Sequence, residues 1–195
     1  MKGNVLIKVI FSVALMVMGM MAGATPVGQR DTMARKTDGR EVVLLKKGDM
    51  MPNYVFKDVN GKRVSLKSFR GKYVYIDIWA TWCGSCVEQT PYFEELEDKL
   101  HNKKIVFVSI SVDKHREAWV RKVKAEKSRV PQWICPEGED TPLLADFGVV
   151  AIPRFILLDK KGRIVDCDFG MPAWARTEMD LRGLKEFKNI IIKAE

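Results

Sequence analysis

The sequence predicts an α/β domain with a central mixed sheet flanked by helices, on three observations. Two dense apolar runs, YVYIDIWA (73–80) and IVFVSISV (105–112), are β-branched and nearly continuous, as in strands covered on both faces and usually parallel. Between them Phe93, Leu96 and Leu100 recur at helical spacing, so the connection is a helix and the unit is βαβ. Further on, RFILLD and RIVDCDF flank Lys160-Lys161-Gly162, a link short enough for a hairpin, so the sheet ends antiparallel. With 195 residues, 47% of them apolar and 30% charged, and only 14 Gly and 8 Pro, the chain has the composition of one folded core. It does not match a disordered, collagenous or multi-span membrane chain.

The chain opens with Lys2 and Lys8 around an apolar start, and the run from Val9 to Thr25 carries no charge. That run is short of the about 20 residues a membrane span needs, and Ala22-Gly23-Ala24 offers the small residues of a cleavage site. Residues 1–24 therefore read as an export signal cut after Ala24, 25–47 as a polar arm with a candidate short strand at Val42–Leu45, and 48–195 as the domain. No cysteine near the cut supports a lipid anchor. An uncleaved N-terminal anchor is the alternative; either reading places the domain outside the cytoplasm, in the periplasm, where disulfides form and persist.

Asn60-Gly61, between YVFKDV and KRVSL, is a strong hairpin signal, so a small antiparallel hairpin precedes the main sheet, with Arg70-Gly71 as a second turn. After IVFVSISV, Ala118, Trp119 and Val123 mark a second helix, and Leu143, Leu144 and Phe147 a shorter third. The last periodic segment, about 175–191, carries Met179, Leu184 and Phe187 and is expected to cap one face of the sheet. The net charge of +8 falls to +6 without Lys2 and Lys8, and the basic residues are interleaved with acids instead of forming a stripe. No nucleic-acid-binding signature accompanies them, so a basic soluble surface is the reading.

Four cysteines remain after the leader: Cys83, Cys86, Cys135 and Cys167. In IDIWATWCGSC a buried strand runs straight into Cys83, followed by a helix. A cysteine there faces unpaired backbone N–H groups and the positive end of the helix dipole, both of which favour the thiolate. Cys83 is therefore the candidate nucleophile, and Cys86, three residues on and on the same side of the helix, can attack a mixed disulfide formed on it. Gly84 and Ser85 leave little side-chain bulk over the attacking sulfur. A zinc site would need a second close ligand pair, which Cys135, Cys167, His101 and His115 do not supply. A purely structural Cys83–Cys86 bridge would close too short a loop to constrain the unfolded chain much. Redox chemistry is the reading, without a cofactor.

Asp77 interrupts an otherwise apolar strand six positions before Cys83. Burial there raises a carboxyl pKa and makes it a candidate proton acceptor or donor for the resolving thiol. The alternative is a charged neighbour at a sheet edge. Trp79 and Trp82, beside the pair, read either as core packing and shielding or as client contacts.

Taken in order, DIWATWCGSC, Pro91 five residues after Cys86, the opening GDMMPNYVFKDVNGKRVSLKSFRGKYVYIDIWATWC, and VVAIPRFILLD followed by Gly162 resemble the thioredoxin fold. The resemblance is specifically to the exported TlpA/ResA-like thiol:disulfide oxidoreductases and covers about Gly48 to Lys188. It implies a thioredoxin fold with an N-terminal β-hairpin and an insert before a cis-proline. Cys83 is implied as the attacking and Cys86 as the resolving cysteine, and Asp77 as thioredoxin's buried acid. Pro153 is implied as the cis-proline, and Ile152 as the residue whose backbone pairs with a substrate chain. From the residues alone, Pro153 only starts a strand, where its missing N–H is harmless. Two departures stand out: Gly84-Ser85 replaces the Pro often found between the cysteines, and the family's second acid has no clear match, since Glu88 reads equally as a solvent-facing helix residue.

The implied function is exchange of protein thiols and disulfides outside the cytoplasm, in the reductase direction, with a membrane protein as electron donor. Disulfide formation by the same pair, or a binding module without turnover, are the competing readings. Peroxidase chemistry lacks its motif. In the implied layout Cys135 and Cys167 fall toward opposite sheet edges, farther apart than the roughly 7 Å between Cα atoms that a disulfide spans, so both are expected as free thiols, Cys167 packed between the last strand and a helix.

Overall fold

In the computed structural model, residues 44–100 and 104–184 are described, all within one compact unit. The proposed leader, the arm up to residue 43 and Phe187 lie outside them. In chain order the elements are β1 (Phe56–Asp58), β2 (Arg63–Val64), β3 (Tyr73–Trp79), α1 (Gly84–Leu100), β4 (Ile105–Ser111), α2 (Arg116–Glu126), β5 (Gln132–Ile134), α3 (Pro142–Asp146), β6 (Arg154–Leu158), β7 (Ile164–Asp166) and α4 (Ala175–Arg182). Single 3-10 turns at Leu66–Phe69 and Gly138–Asp140 complete the list.

The strands form one sheet in the order β2-β1-β5-β4-β3-β6-β7. β3, β4 and β5 are parallel; β6 lies antiparallel to β3, and β7 antiparallel to β6. The fold is thioredoxin-like, a mixed sheet between two helical layers. The two apolar runs become the centre because their alternate residues are buried on opposite faces. Val74, Ile76, Ile78, Val108 and Ile110 share one core cluster with Trp119 of α2 and Leu143 of α3. Tyr75, Phe107, Phe155 and Leu157 share the other with Phe93, Leu96 and Leu100 of α1 and Leu181 of α4.

The Asn60-Gly61 hairpin forms as read, Phe56 opposite Val64 and Gly61 at φ 84°, with Asp58 Oδ1 accepting from the Asn60 and Lys62 amides. It is part of the main sheet, because β1 pairs along β5 through Lys57–Ile134 and Asp58–Trp133. The insert thus contributes a strand that its sequence hides: QWI is three residues long and bounded by Pro131 and Pro136. It is a strand because β4 and β1 offer ladders on both sides, a non-local cause.

Two expectations change. Leu44 and Leu45 form no strand; the Leu45 amide donates instead to the Asp146 carbonyl at 2.8 Å. Met179 does not cap the sheet: it is 66% exposed, whereas Thr177 and Leu181, four residues apart on one helical face, are buried. Cys167 is half-buried against the core cluster that holds Trp119 and Leu143, its Sγ donating to the Leu45 carbonyl at 3.5 Å.

Cys135 and Cys167 are both unpaired, Cys135 beyond β5 and Cys167 beyond β7, with β4, β3 and β6 between those strands. Burial pushes the Cys135 thiol up to about 12, and the Cys167 thiol is also raised, by burial and then by the carboxylates of Asp166 and Asp49. Denatured, unreduced protein should therefore show two free thiols; a titration reading zero, with a Cys135–Cys167 linked peptide in the digest, would contradict this arrangement.

Candidate active site

The strand β3 ends at Trp79, and the loop Ala80-Thr81-Trp82-Cys83 turns the chain into α1. The Cys83 amide donates to the Ala80 carbonyl at 3.1 Å, closing that turn. Both cysteines sit at the carboxyl end of the parallel strands, where α/β sheets place their sites. They form a disulfide, with Cα atoms 5.2 Å apart. Cys83 directly precedes the first residue of α1, and the Cys86 amide donates to its Sγ at 3.2 Å. The sulfur thus occupies the capping position of the helix, where a free N–H and the helix dipole stabilise negative charge.

The opposite wall is the Val149–Pro153 loop. The Ile152–Pro153 peptide is cis, the geometry that the resemblance implies, and the Ile152 carbonyl oxygen lies 3.7 Å from Cys83 Sγ. The Ser85 hydroxyl is 3.5 Å from the same sulfur. A side chain at Gly84 would meet nothing within 4 Å, so the space over Gly84 is open, while both cysteines are themselves buried. Next to it lies a cleft of about 390 Å³ lined by Trp82, Val112, Leu144, Val149–Ile152 and one acid, Glu139. Trp82 is 60% exposed and Val150 82%, while Trp79 is buried in the core. The two tryptophans therefore divide the readings between them: Trp79 packs, Trp82 faces the cleft. Glu88 is exposed on α1.

Asp77 is buried on the central strand β3, between β4 and β6, which excludes the sheet-edge reading. Its hydrogen-bond partner is the Ser109 hydroxyl, donating at 3.2 Å. Loss of hydration pushes the Asp77 carboxyl up to about 7, and the Ser109 bond opposes this only in part. Strand alternation places Asp77 on the face of Tyr75, which α1 covers through the Tyr75–Phe93 ring contact.

One residue escaped the sequence reading. Asp113, buried just past β4, accepts from the Thr81 amide and hydroxyl and from the Ser111 hydroxyl. An acid directly after a buried parallel strand, on the site-bearing edge of the sheet, was the available signal.

The profile of the Redoxin family, described simply as Redoxin, matches residues 46–179. The chain belongs to the Redoxin family. Within this family it is similar to the thiol-disulfide oxidoreductase ResA of Bacillus thuringiensis subsp. konkukian, with 33% identity over 118 residues, 60% of this chain and 66% of that protein. The match thus spans just under two thirds of that relative's length. Among solved structures, a candidate thiol-disulfide oxidoreductase from Bacteroides vulgatus superposes with a TM-score of 0.66 at 34% identity, covering 72% of this chain and 97% of the other. The pneumococcal exposed lipoprotein thioredoxin Etrx1 from Streptococcus pneumoniae gives a TM-score of 0.55 at 26% identity, over 69% of this chain and 99% of that one. The resemblance to TlpA/ResA-like proteins is thereby borne out. Among the described residues no helix is long and apolar enough to cross a membrane.

Proposed function

We propose that the protein exchanges disulfides with protein clients outside the cytoplasm and works as a reductase. The observation that carries this reading is Cys83 Sγ, held between the Cys86 amide at 3.2 Å and the Ile152 carbonyl at 3.7 Å. In the reduced enzyme the Cys83 thiolate attacks one sulfur of a client disulfide; a Cys83–client bond forms, the client S–S bond breaks, and the second client sulfur leaves as a thiolate. The Cys86 thiolate then attacks Cys83, releasing the first client sulfur and leaving the Cys83–Cys86 disulfide. Two electrons have passed to the client. A dithiol donor carried by a membrane protein resets the pair by the same exchange in reverse.

Asp77 takes the proton from Cys86 as that thiol becomes the nucleophile; a buried carboxyl with a pKa of about 7 is poised to do so near neutral pH. The client chain lies along Ile152 and Pro153 and over Gly84 and Ser85, with Trp82 providing apolar contact. The exported location rests on residues 1–24, read as a signal sequence, and on the likeness to the exposed lipoprotein Etrx1.

The direction is tested by the potential of the Cys83–Cys86 couple, measured by equilibration with glutathione buffers. A value near about −270 mV is expected for a reductant, whereas one near about −120 mV would make the pair an oxidant. Reduction of insulin disulfides by catalytic amounts of the protein, with dithiothreitol as donor, separates an enzyme from a binding module, which would show no turnover.

A further inference from the structure

The loop that delivers Cys83 to the helix end is short, and one buried side chain holds it. The Thr81 amide donates to both oxygens of Asp113, at 3.2 and 3.0 Å, and the Thr81 hydroxyl donates to Oδ1. The Ser111 hydroxyl donates to Oδ2 at 2.7 Å, and the Asp113 amide returns a bond to Ser111 Oγ at 3.0 Å. Two oxygens thus collect three donors at a site 4% exposed. Asp113 is itself braced. The Val112 amide donates to the Trp79 carbonyl at 2.9 Å, carrying the pairing with β3 one residue past the end of β4. On the other side Gly138, at φ 60°, is packed so closely that a Cβ there would stand 3.1 Å from Lys114 Cα and 3.2 Å from the Asp113 carbonyl oxygen.

We infer that Asp113 is a positioning residue for the thiol exchange: through Thr81 it fixes the Ala80–Cys83 loop so that Cys83 Sγ stays on the free amides of α1. The inference rests on Cys83 being the attacking thiol and goes beyond it by naming what keeps that sulfur in place. Without the clamp, Thr81 loses its three hydrogen bonds to Asp113, leaving the turn before Cys83 with the Cys83–Ala80 bond and the helix that follows. A sulfur that leaves the helix end loses the charge stabilisation found there.

The test is the alkylation rate of Cys83 in fully reduced protein, read peptide by peptide by mass spectrometry at pH 6.5 and at pH 9, for wild type, Asp113→Ala and Asp113→Asn. Asparagine can still accept from Thr81 through its oxygen and donate to Ser111 Oγ, so it conserves the clamp without the charge. Positioning predicts that Asp113→Ala slows alkylation at pH 6.5 about tenfold, one pKa unit of lost thiolate, while Asp113→Asn stays within about twofold of wild type. Faster alkylation in both variants would mean that only the negative charge of Asp113 acts on Cys83, and unchanged rates in both would mean that it does not act at all; either overturns the inference. If Asp113→Ala does not fold, Thr81→Val decides: slower alkylation at pH 6.5 upholds the clamp, an unchanged rate overturns it. A wild-type Cys83 that titrates like a free thiol, near about 8.5, removes the attacking-thiol reading and the inference with it.

Discussion

Replacing Cys83 with serine should reduce insulin-reduction turnover to the uncatalysed background, while Cys86→Ser should stop the cycle halfway. The asymmetry follows from position. Cys83, 6% exposed, sits at the helix end beside the open space over Gly84, whereas Cys86 is 2% exposed and lies inside α1. Without Cys83 no bond to the client forms. Without Cys86 the bond forms but nothing near the mixed disulfide releases it, because Cys135 and Cys167 lie beyond β5 and β7, at other places in the sheet, with raised thiol pKa values. The Cys86→Ser protein should accumulate a covalent adduct visible on a non-reducing gel and removed by dithiothreitol. Trapping by Cys83→Ser and not by Cys86→Ser would reverse the two assignments. Partial alkylation of the reduced wild type should likewise label Cys83 before Cys86 at neutral pH.

Asp77→Asn should make the protein more stable and slower at the same time near neutral pH, the stability gap opening below about pH 7 and the rate effect becoming full above it. Asp77 titrates at about 3.8 when solvated and at about 7 in the fold, raised by desolvation. Its protonated form costs nothing below about pH 4. Above that the unfolded chain loses the proton and the native one keeps it, so stability declines as pH rises and the loss is complete once the native group also ionises, near pH 7. At about 1.4 kcal/mol per unit the total is a few kcal/mol, and asparagine, which does not ionise, avoids it. Urea unfolding should give matching stabilities near pH 4 and a gap that widens in favour of Asp77→Asn up to about pH 7. Release of the mixed disulfide should slow in the variant by a factor that grows as Asp77 ionises toward pH 7 and reaches about a hundredfold above it, since only the carboxylate accepts the Cys86 proton. Superimposable pH–rate profiles would leave Asp77 with a structural role alone.

Much of this architecture was legible from local pattern. Runs 73–80 and 105–112 contain β3 and β4, Phe93, Leu96 and Leu100 mark a helix, and Asn60-Gly61 and Lys161-Gly162 sit in turns with Gly61 at φ 84° and Gly162 at φ 73°. These signals survive in one dimension because periodicity and turn chemistry act over a few residues. The cysteine pair is of the same kind: two sulfurs three residues apart at a strand-to-helix junction need no distant partner to suggest their chemistry.

What required the tertiary structure is whatever depends on contacts between residues far apart in the chain. QWI is a strand only because β1 and β4 flank it, and Leu181 rather than Met179 faces the sheet because the packing of α4, not its composition, sets its rotation. The Ile152 carbonyl reaches Cys83 from 69 residues away, and Asp113 reaches Thr81 across 32. By itself the sequence determined the two central strands, the helix between them, the turns and the placement of the cysteine pair at a strand-to-helix junction, whose causes are local. The fold alone decided which side chains hold that pair in place, because a hydrogen bond across the sheet leaves no periodic trace in either segment that makes it.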